Sequence, residues 1–210
     1  LYNDGHVDVC PEEEEEHVLR HSAAHIMAQA VSRLYPEADF GYGPATENGF
    51  YYDIDFGDTK ISEDDLGAIE EEMKKIVKEN LKFSVFELPR DEAVKLMEER
   101  GEAYKVEHIG DLPEDARITF YQQGDYIDMC VGPHICYTKA LKAFKLTAVS
   151  GAYWKNDASN KMLTRINGVA FRTKEEMAEH FRMLEEAEKR DHRKIGKEME
   201  LFMMDDAGPG

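Results

Sequence analysis

Long apolar runs are missing from this 210-residue chain. No stretch approaches the roughly 20 residues that cross a bilayer, which excludes a helical membrane protein and makes a membrane partner unexpected. Cysteine is scarce, with only Cys10, Cys130 and Cys136. An odd, sparse set is no disulfide framework and fits a reducing cytoplasm. Basic side chains are outnumbered, 26 against 44 acids, for a net charge of −18. Such a surface repels nucleic acid unless the cations are gathered in one place. A phosphate-binding glycine loop, a dinucleotide fingerprint and a G-x-S-x-G elbow are all absent, excluding the functions those motifs serve. No apolar leader opens the chain; its polar start runs into Glu12 to Glu16. What is present is a 42% apolar composition with 10 Phe, 10 Tyr and 1 Trp. Disordered chains are poor in such residues, so this one folds, as one large or two small domains. It starts at Leu1 rather than Met and stops on Ala207-Gly208-Pro209-Gly210, and is expected to be an excised piece of a longer protein.

Apolar positions Val18, Ala24, Ile26, Met27, Ala30, Val31 and Leu34 predict a helix from Glu12 to about Leu34. Pro11 sits at its start, and Pro36 ends it. Gly49 to Phe56 is aromatic and alternating, and reads as a strand. Glu63 to Asn80 reads as a helix with Ser62 as N-cap, and Arg90 to Arg100 as one ended by Gly101. Strands are expected at Phe83 to Leu88, Ala103 to Ile109, Ile118 to Tyr121, Tyr126 to Met129, Ala143 to Tyr153 and Lys161 to Phe171. A charged helix is expected from Thr173 to about Phe202, with a seam of Met177, Phe181, Leu184, Ile195, Met199 and Phe202. There is no regular βαβ alternation, so the expected class is α+β, antiparallel sheets with packed helices and a long C-terminal connector helix.

Charge is uneven. Residues 131–174 hold eight basic side chains, including Lys139, Lys142, Lys145, Lys155, Lys161, Arg165, Arg172 and Lys174, against the single acid Asp157. Such a strip can carry a phosphate footprint, or it can be a solvated face.

Chemistry gathers in two short segments. His21-Ser22-Ala23-Ala24-His25 places two imidazoles one turn apart on one helix face. Asp128-Met129-Cys130-Val131-Gly132-Pro133-His134 places a thiol, an imidazole and a carboxylate on a strand end and loop. Where the segments meet, three readings compete. His21, His25, Cys130 and His134 are zinc ligands in number and type; they could form a metal-free pocket that polarises water; or they are satisfied polar groups of a core. Position 22 is Ser, not the Glu of a zinc-protease helix. Cys10 and Cys136 have no histidine at ligand spacing and read as structural.

These segments, with Gly43-Pro44 and Gly49-Phe50-Tyr51-Tyr52-Asp53 between them, resemble the editing domain of the threonyl/alanyl-tRNA synthetase second additional domain family, of bacterial threonyl type. Gly151-Ala152-Tyr153-Trp154, Asn160-Lys161-Met162-Leu163-x-Arg165-Ile166 and Arg190-Asp191-His192-Arg193-Lys194-Ile195-Gly196-Lys197 extend the resemblance from about Glu16 to Gly210. It implies residues 1–15 as an N-terminal remnant or linker, 16–172 as an aminoacyl-ester hydrolase domain including the basic segment 131–172, and 173–210 as a connector into a class II catalytic core. It further implies release of serine from seryl-tRNA(Thr) with threonyl-tRNA(Thr) spared, and the tRNA(Thr) acceptor end as partner. The parent enzymes ligate threonine to tRNA with ATP, magnesium and a catalytic-domain zinc, as homodimers in the cytoplasm. The fragment itself is expected to be a monomer that requires none of these cofactors, with zinc at the His/Cys set the open question.

By the same resemblance, His21 orients or deprotonates the water, and His25 and His134 shape the pocket. Cys130 is a polar wall or a metal ligand. Asp128 partners the substrate ammonium, Lys105 stabilises developing negative charge, and Tyr52 lines the pocket with Gly43 and Pro44. Lys139, Lys142, Lys145, Lys155, Lys161 and Arg165 would contact the acceptor arm. Two alternatives stand beside this: a tRNA-docking module without chemistry, and a free-standing zinc-dependent hydrolase acting in trans.

Overall fold

A computed structural model of the chain describes the backbone of residues 1–205 and the side chains of residues 1–190. Two compact units divide at residues 172 and 173. The first is built around α1 (Glu12–Leu34). Its middle, from Val18 to Val31, is buried on every side, so its face reads as apolar all round. The polar residues within it, Arg20, Ser22, His25 and Gln29, are therefore the informative ones.

Against α1 lies an antiparallel sheet in the order β1 (Asp39–Phe40), β3 (Gly49–Asp55), β8 (Met162–Phe171), β7 (Ala143–Tyr153), with β2 (Ala45–Thr46) paired to β3. The helix α2 (Leu66–Glu79) packs its Leu66, Ile69, Met73 and Ile76 into the same core. Ser62 starts that region: its N–H donates to the Asp65 carboxylate, and a 3-10 turn at Glu63–Asp65 precedes the helix. The C-terminal cap Asn80 is left-handed, φ 54°.

A three-stranded sheet, β4 (Phe83–Leu88), β5 (Ile118–Gln123) and β6 (Tyr126–Met129), separates this core from a smaller one. Strand alternation divides its side chains: Phe83 and Tyr121 face the main core, Ile118 and Phe120 the second. The second core is closed by α3 (Arg90–Glu99), through Ala93 and Met97, and α4 (Ala103–Asp111), through Ile109. No described helix is long and apolar enough to cross a membrane.

One expected strand is a helix. Ala103 to Ile109 looks alternating, yet its buried residues are Lys105 and Ile109, four apart, which is helical spacing. Asp39 supplies the N-terminal acceptor that the local sequence lacks, taking the Ala103 N–H at 3.1 Å. The two-residue strands β1 and β2 were too short to leave a periodic signal. Residues 1–11 lie on the first unit: Leu1 and His134 exchange backbone hydrogen bonds at 2.7 and 3.0 Å, and the Tyr121 hydroxyl donates to Asn3.

The second unit is α5 (Lys174–Asp205). Within it Arg182 pairs with Glu179 and Glu186, and Lys189 with Glu185. Leu184 of the expected seam is exposed. Ile195, Met199, Phe202 and the motif from Asp191 to Lys197 lie outside the described side chains.

Candidate active site

Four elements deliver side chains to one place. Helix α1 brings His21 and His25, the end of β6 and the loop after it bring Asp128, Cys130 and His134, α4 brings Lys105, and β3 brings Tyr52. The His21 and His25 rings lie 5.3 Å apart, as one helical turn dictates, and His134 sits 4.3 and 4.2 Å from them. The Cys130 Sγ is 3.1 Å from His21 Nε2 and 3.4 Å from His134 Nε2. His134 is seated by stacking on Phe83 and by the edge of Tyr121. Gly132 turns the chain here with φ 21°; a Cβ would sit 2.1 Å from the Tyr121 hydroxyl, so only glycine fits.

The second half of the site is an ion pair. Lys105 Nζ is 2.7 Å from Asp128 Oδ1, and the two side chains are 6% and 3% exposed. The same ammonium donates to the Tyr52 hydroxyl at 2.9 Å, which donates on to Asp128 Oδ2 at 2.6 Å. Tyr126 adds a longer bond to that oxygen, 3.3 Å. His25 Nε2, at 3.7 Å, is too far for a hydrogen bond. A carboxylate in this position is matched by a cation and two hydroxyls before any substrate arrives. Asp128 therefore anchors Lys105 and the tyrosines, where the sequence had assigned it to the substrate ammonium.

Burial decides the protonation states. It takes His21 down to about 4 and His25 to about 3, and His134 well below the usual imidazole range. All three are neutral at pH 7. Burial likewise lifts the Cys130 thiol to about 12, so it carries its proton. For Asp128 burial pushes up, but Lys105 and His25 with the hydrogen bonds to the carboxylate outweigh it and hold the group at about 2. Burial and the nearby Asp128 charge raise Glu102, the residue before α4, to about 7.

His21, His25, Tyr52, Lys105, Asp128 and Cys130 open onto a cleft of about 360 Å³, bordered also by Tyr42, Gly43, Pro44 and His108, while His134 lies buried behind them. Gly43 lies against the face of Tyr52: a Cβ there would be 2.1 Å from the ring. Tyr42 is held by stacking on Trp154, centroids 4.6 Å apart, and by the 3.1 Å contact of its hydroxyl with His108 Nδ1.

The sequence-predicted site residues His21, His25, Tyr52, Lys105, Asp128, Cys130 and His134 are thus brought together. The basic strip is not. Arg165 makes two hydrogen bonds to Asp53, its cross-strand neighbour. Lys161 pairs with Asp55, Lys145 with Glu70, Lys155 with Glu107 and Asp111, and Arg172 with Glu15. Much of the strip's charge is met by acids from elsewhere in the chain, a pairing that linear counting cannot register. Lys139 and Lys142 are exposed and, among the described residues, form no ion pair. Missed at the sequence level were Ser22, Tyr126, Glu102, Tyr42 and His108. Tyr126 had a signal: it stands two residues before Asp128, on the same strand face.

His21, His25, Cys130 and His134 also fit a metal by donor type, one ligand atom from each lying within 4.8 Å of the others.

Comparison with known proteins shows what the chain is similar to. Residues 118–167 match the model described as the threonyl and alanyl tRNA synthetase second additional domain. The chain is 57% identical over 199 residues to a threonine--tRNA ligase of Clostridioides difficile, covering 95% of the chain and 31% of that protein. It is 57% identical over 192 residues to one of Clostridium acetobutylicum, covering 91% and 30%, and 52% identical over 212 residues to one of Clostridium botulinum, covering 100% and 33%. The chain thus spans about a third of the length of the curated relatives it matches. The matched domain holds Asp128, Cys130 and His134, while His21, His25, Tyr52 and Lys105 come from outside it. Residues 118–167 are thus similar to the threonyl and alanyl tRNA synthetase second additional domain, and the chain's similarity to threonine--tRNA ligases runs through every segment that builds this site.

Proposed function

We propose that this chain is an editing module that hydrolyses the ester of seryl-tRNA(Thr), releasing serine and sparing threonyl-tRNA(Thr). The observation that carries the reading is the convergence of the neutral imidazoles of His21 and His25 and the Lys105–Asp128 pair on one cleft. Water attacks the acyl carbon, and neutral His21 takes its proton and returns it to the departing ribose oxygen. Lys105 offers a fixed positive charge for the tetrahedral oxyanion, at no reorganisation cost because Asp128 and Tyr52 already hold it. His25 and protonated Cys130 line the water's side, with His134 packed behind them. Tyr52 and the Gly43-Pro44 backbone form a rigid wall where an added methyl group would meet atoms. A threonine pocket of a synthetase discriminates against the smaller serine by only about 1–3 kcal/mol, so a second, methyl-excluding site is what accuracy requires. Lys139 and Lys142, which form no ion pair among the described residues, would meet the acceptor arm, so binding in isolation should be weak and steeply salt-dependent.

The test is deacylation of seryl-tRNA(Thr) beside threonyl-tRNA(Thr) at high protein concentration. Serine is expected to be lost and threonine retained, with His21→Ala slower by roughly 10²–10⁴-fold and its circular dichroism unchanged. Binding that survives in His21→Ala with no hydrolysis by the parent chain would instead identify a docking module. The three-histidine, one-thiol cluster favours a second reading, a zinc-dependent hydrolase. There His21, His25, Cys130 and His134 would hold the ion, and it would supply an acidified water. We favour the metal-free form because Lys105 already places a cation at the cleft. Chelator-washed protein is expected to keep its rate, and stoichiometric zinc with activity lost on stripping would reverse the choice.

A further inference from the structure

Ser22 is the residue between the two histidines of α1 that the proposed reaction leaves without a role. It is wholly buried, and its hydroxyl has three polar neighbours. The Oγ lies 2.8 Å from the carbonyl oxygen of Val18, 3.0 Å from the backbone nitrogen of Ile135 and 3.0 Å from His134 Nδ1. A serine hydroxyl owns one hydrogen and two acceptor positions. The Ile135 N–H can only donate, so it takes one acceptor position. The Val18 oxygen can only accept, so the hydrogen between it and Oγ must be the hydroxyl's own. One acceptor position then remains for His134, and Nδ1 has to bring the hydrogen.

We infer that Ser22 is a positioning residue that fixes His134 as the Nδ1–H tautomer, leaving the lone pair of Nε2 facing Cys130, which lines the cleft. The proton count is the same whether the imidazole is neutral or charged, because Nδ1–H is required in both. Among the described residues no other contact fixes its tautomer: Phe83, Tyr121, His21 and His25 meet it ring to ring, and Cys130 Sγ can donate or accept. A hydrogen bond at one imidazole nitrogen sets what the other can do. With Nε2 bare, His134 accepts the Cys130 thiol proton, which orients the thiol that lines the cleft. The same geometry ties the end of the site loop to α1, since Ile135 and His134 are both held by the one hydroxyl.

The tautomer can be read without any reaction. In the full chain labelled with ¹⁵N-histidine, His134 is assigned by the resonances lost in His134→Asn. Nδ1 is expected to be protonated and Nε2 not; the reverse pattern overturns the inference. In Ser22→Ala the population is expected to move toward Nε2–H. The activity consequence rests on the proposed hydrolysis: kcat for seryl-tRNA is expected to fall by roughly 10–100-fold with KM unchanged. A Ser22→Ala chain that keeps the Nδ1–H tautomer and the parent kcat also overturns it. If Ser22→Ala does not fold, the parent spectrum alone decides. A parent chain with Nδ1–H that hydrolyses nothing upholds the tautomer and removes the proposed reaction.

Discussion

Lys105→Met is expected to destabilise the chain by about 3–5 kcal/mol as well as to abolish hydrolysis. Sequence alone suggests a surface lysine whose removal spares the fold. The structure places it 5% exposed, in contact with a carboxylate that is 3% exposed. Methionine matches the stem but leaves Asp128 charged with only two tyrosine hydroxyls for company. Asp128 can limit the loss by taking up a proton, so its pKa should rise from about 2 and the penalty should shrink at low pH. The double variant Lys105→Met/Asp128→Asn removes both charges. It is expected to regain most of the lost stability while staying inactive, because the cation at the cleft is still missing. Urea unfolding of the parent, both single variants and the double variant closes the cycle. A Lys105→Met chain as stable as its parent would show that the pair contributes nothing to the fold.

Acid is expected to destabilise the metal-free chain as pH falls from about 6.5 toward 4.5, where ordinary carboxylates are still ionised. His21 and His25 are depressed to about 4 and about 3, and His134 lies well below the ordinary imidazole value of 6.5. Between pH 6.5 and about 4.5 the unfolded chain binds three protons that the native one refuses. Stability from these groups is therefore fully present above pH 6.5 and is lost as pH falls. Glu102 acts in the opposite sense. Raised to about 7 from 4.5, it binds a proton in the native state first, and its contribution is present below pH 4.5 and lost as pH rises through 7. Three protons against one leave a net of two, a slope of about 3 kcal/mol per pH unit. Over two units that approaches the whole stability of an ordinary domain. Denaturant titrations at pH 7, 6 and 5 measure the slope directly. A flat profile would mean that the buried imidazoles accept protons without opening the fold.

How far the site was legible depended on where its partners stand in the chain. His21 and His25 are readable because helical spacing alone puts them on one face. Cys130 and His134 are readable because Gly132 and Pro133 force a turn between them. Lys105 is different. Its segment looks like a strand, and only the Asp39 carboxylate at the start of α4 and the packing of Ile109 make it a helix that turns the ammonium inward. Ser22 was noticed for what it is not, a glutamate, and its actual partners are more than a hundred residues away.

By itself the sequence determined the long elements, the α+β class and the two chemical segments, since helical and strand periodicity are local properties of a chain. It also carried the resemblance to tRNA synthetases, through motifs whose order and spacing are linear. The tertiary structure decided what depends on distance between remote residues. It buried Asp128 with Lys105, made three histidines neutral by removing water, and matched the basic strip to acids at Asp53, Asp55, Glu70 and Glu107. Ionisation, ion pairing and tautomer follow from desolvation and from which atoms stand within about 3 Å, and those are settled only when the chain has folded.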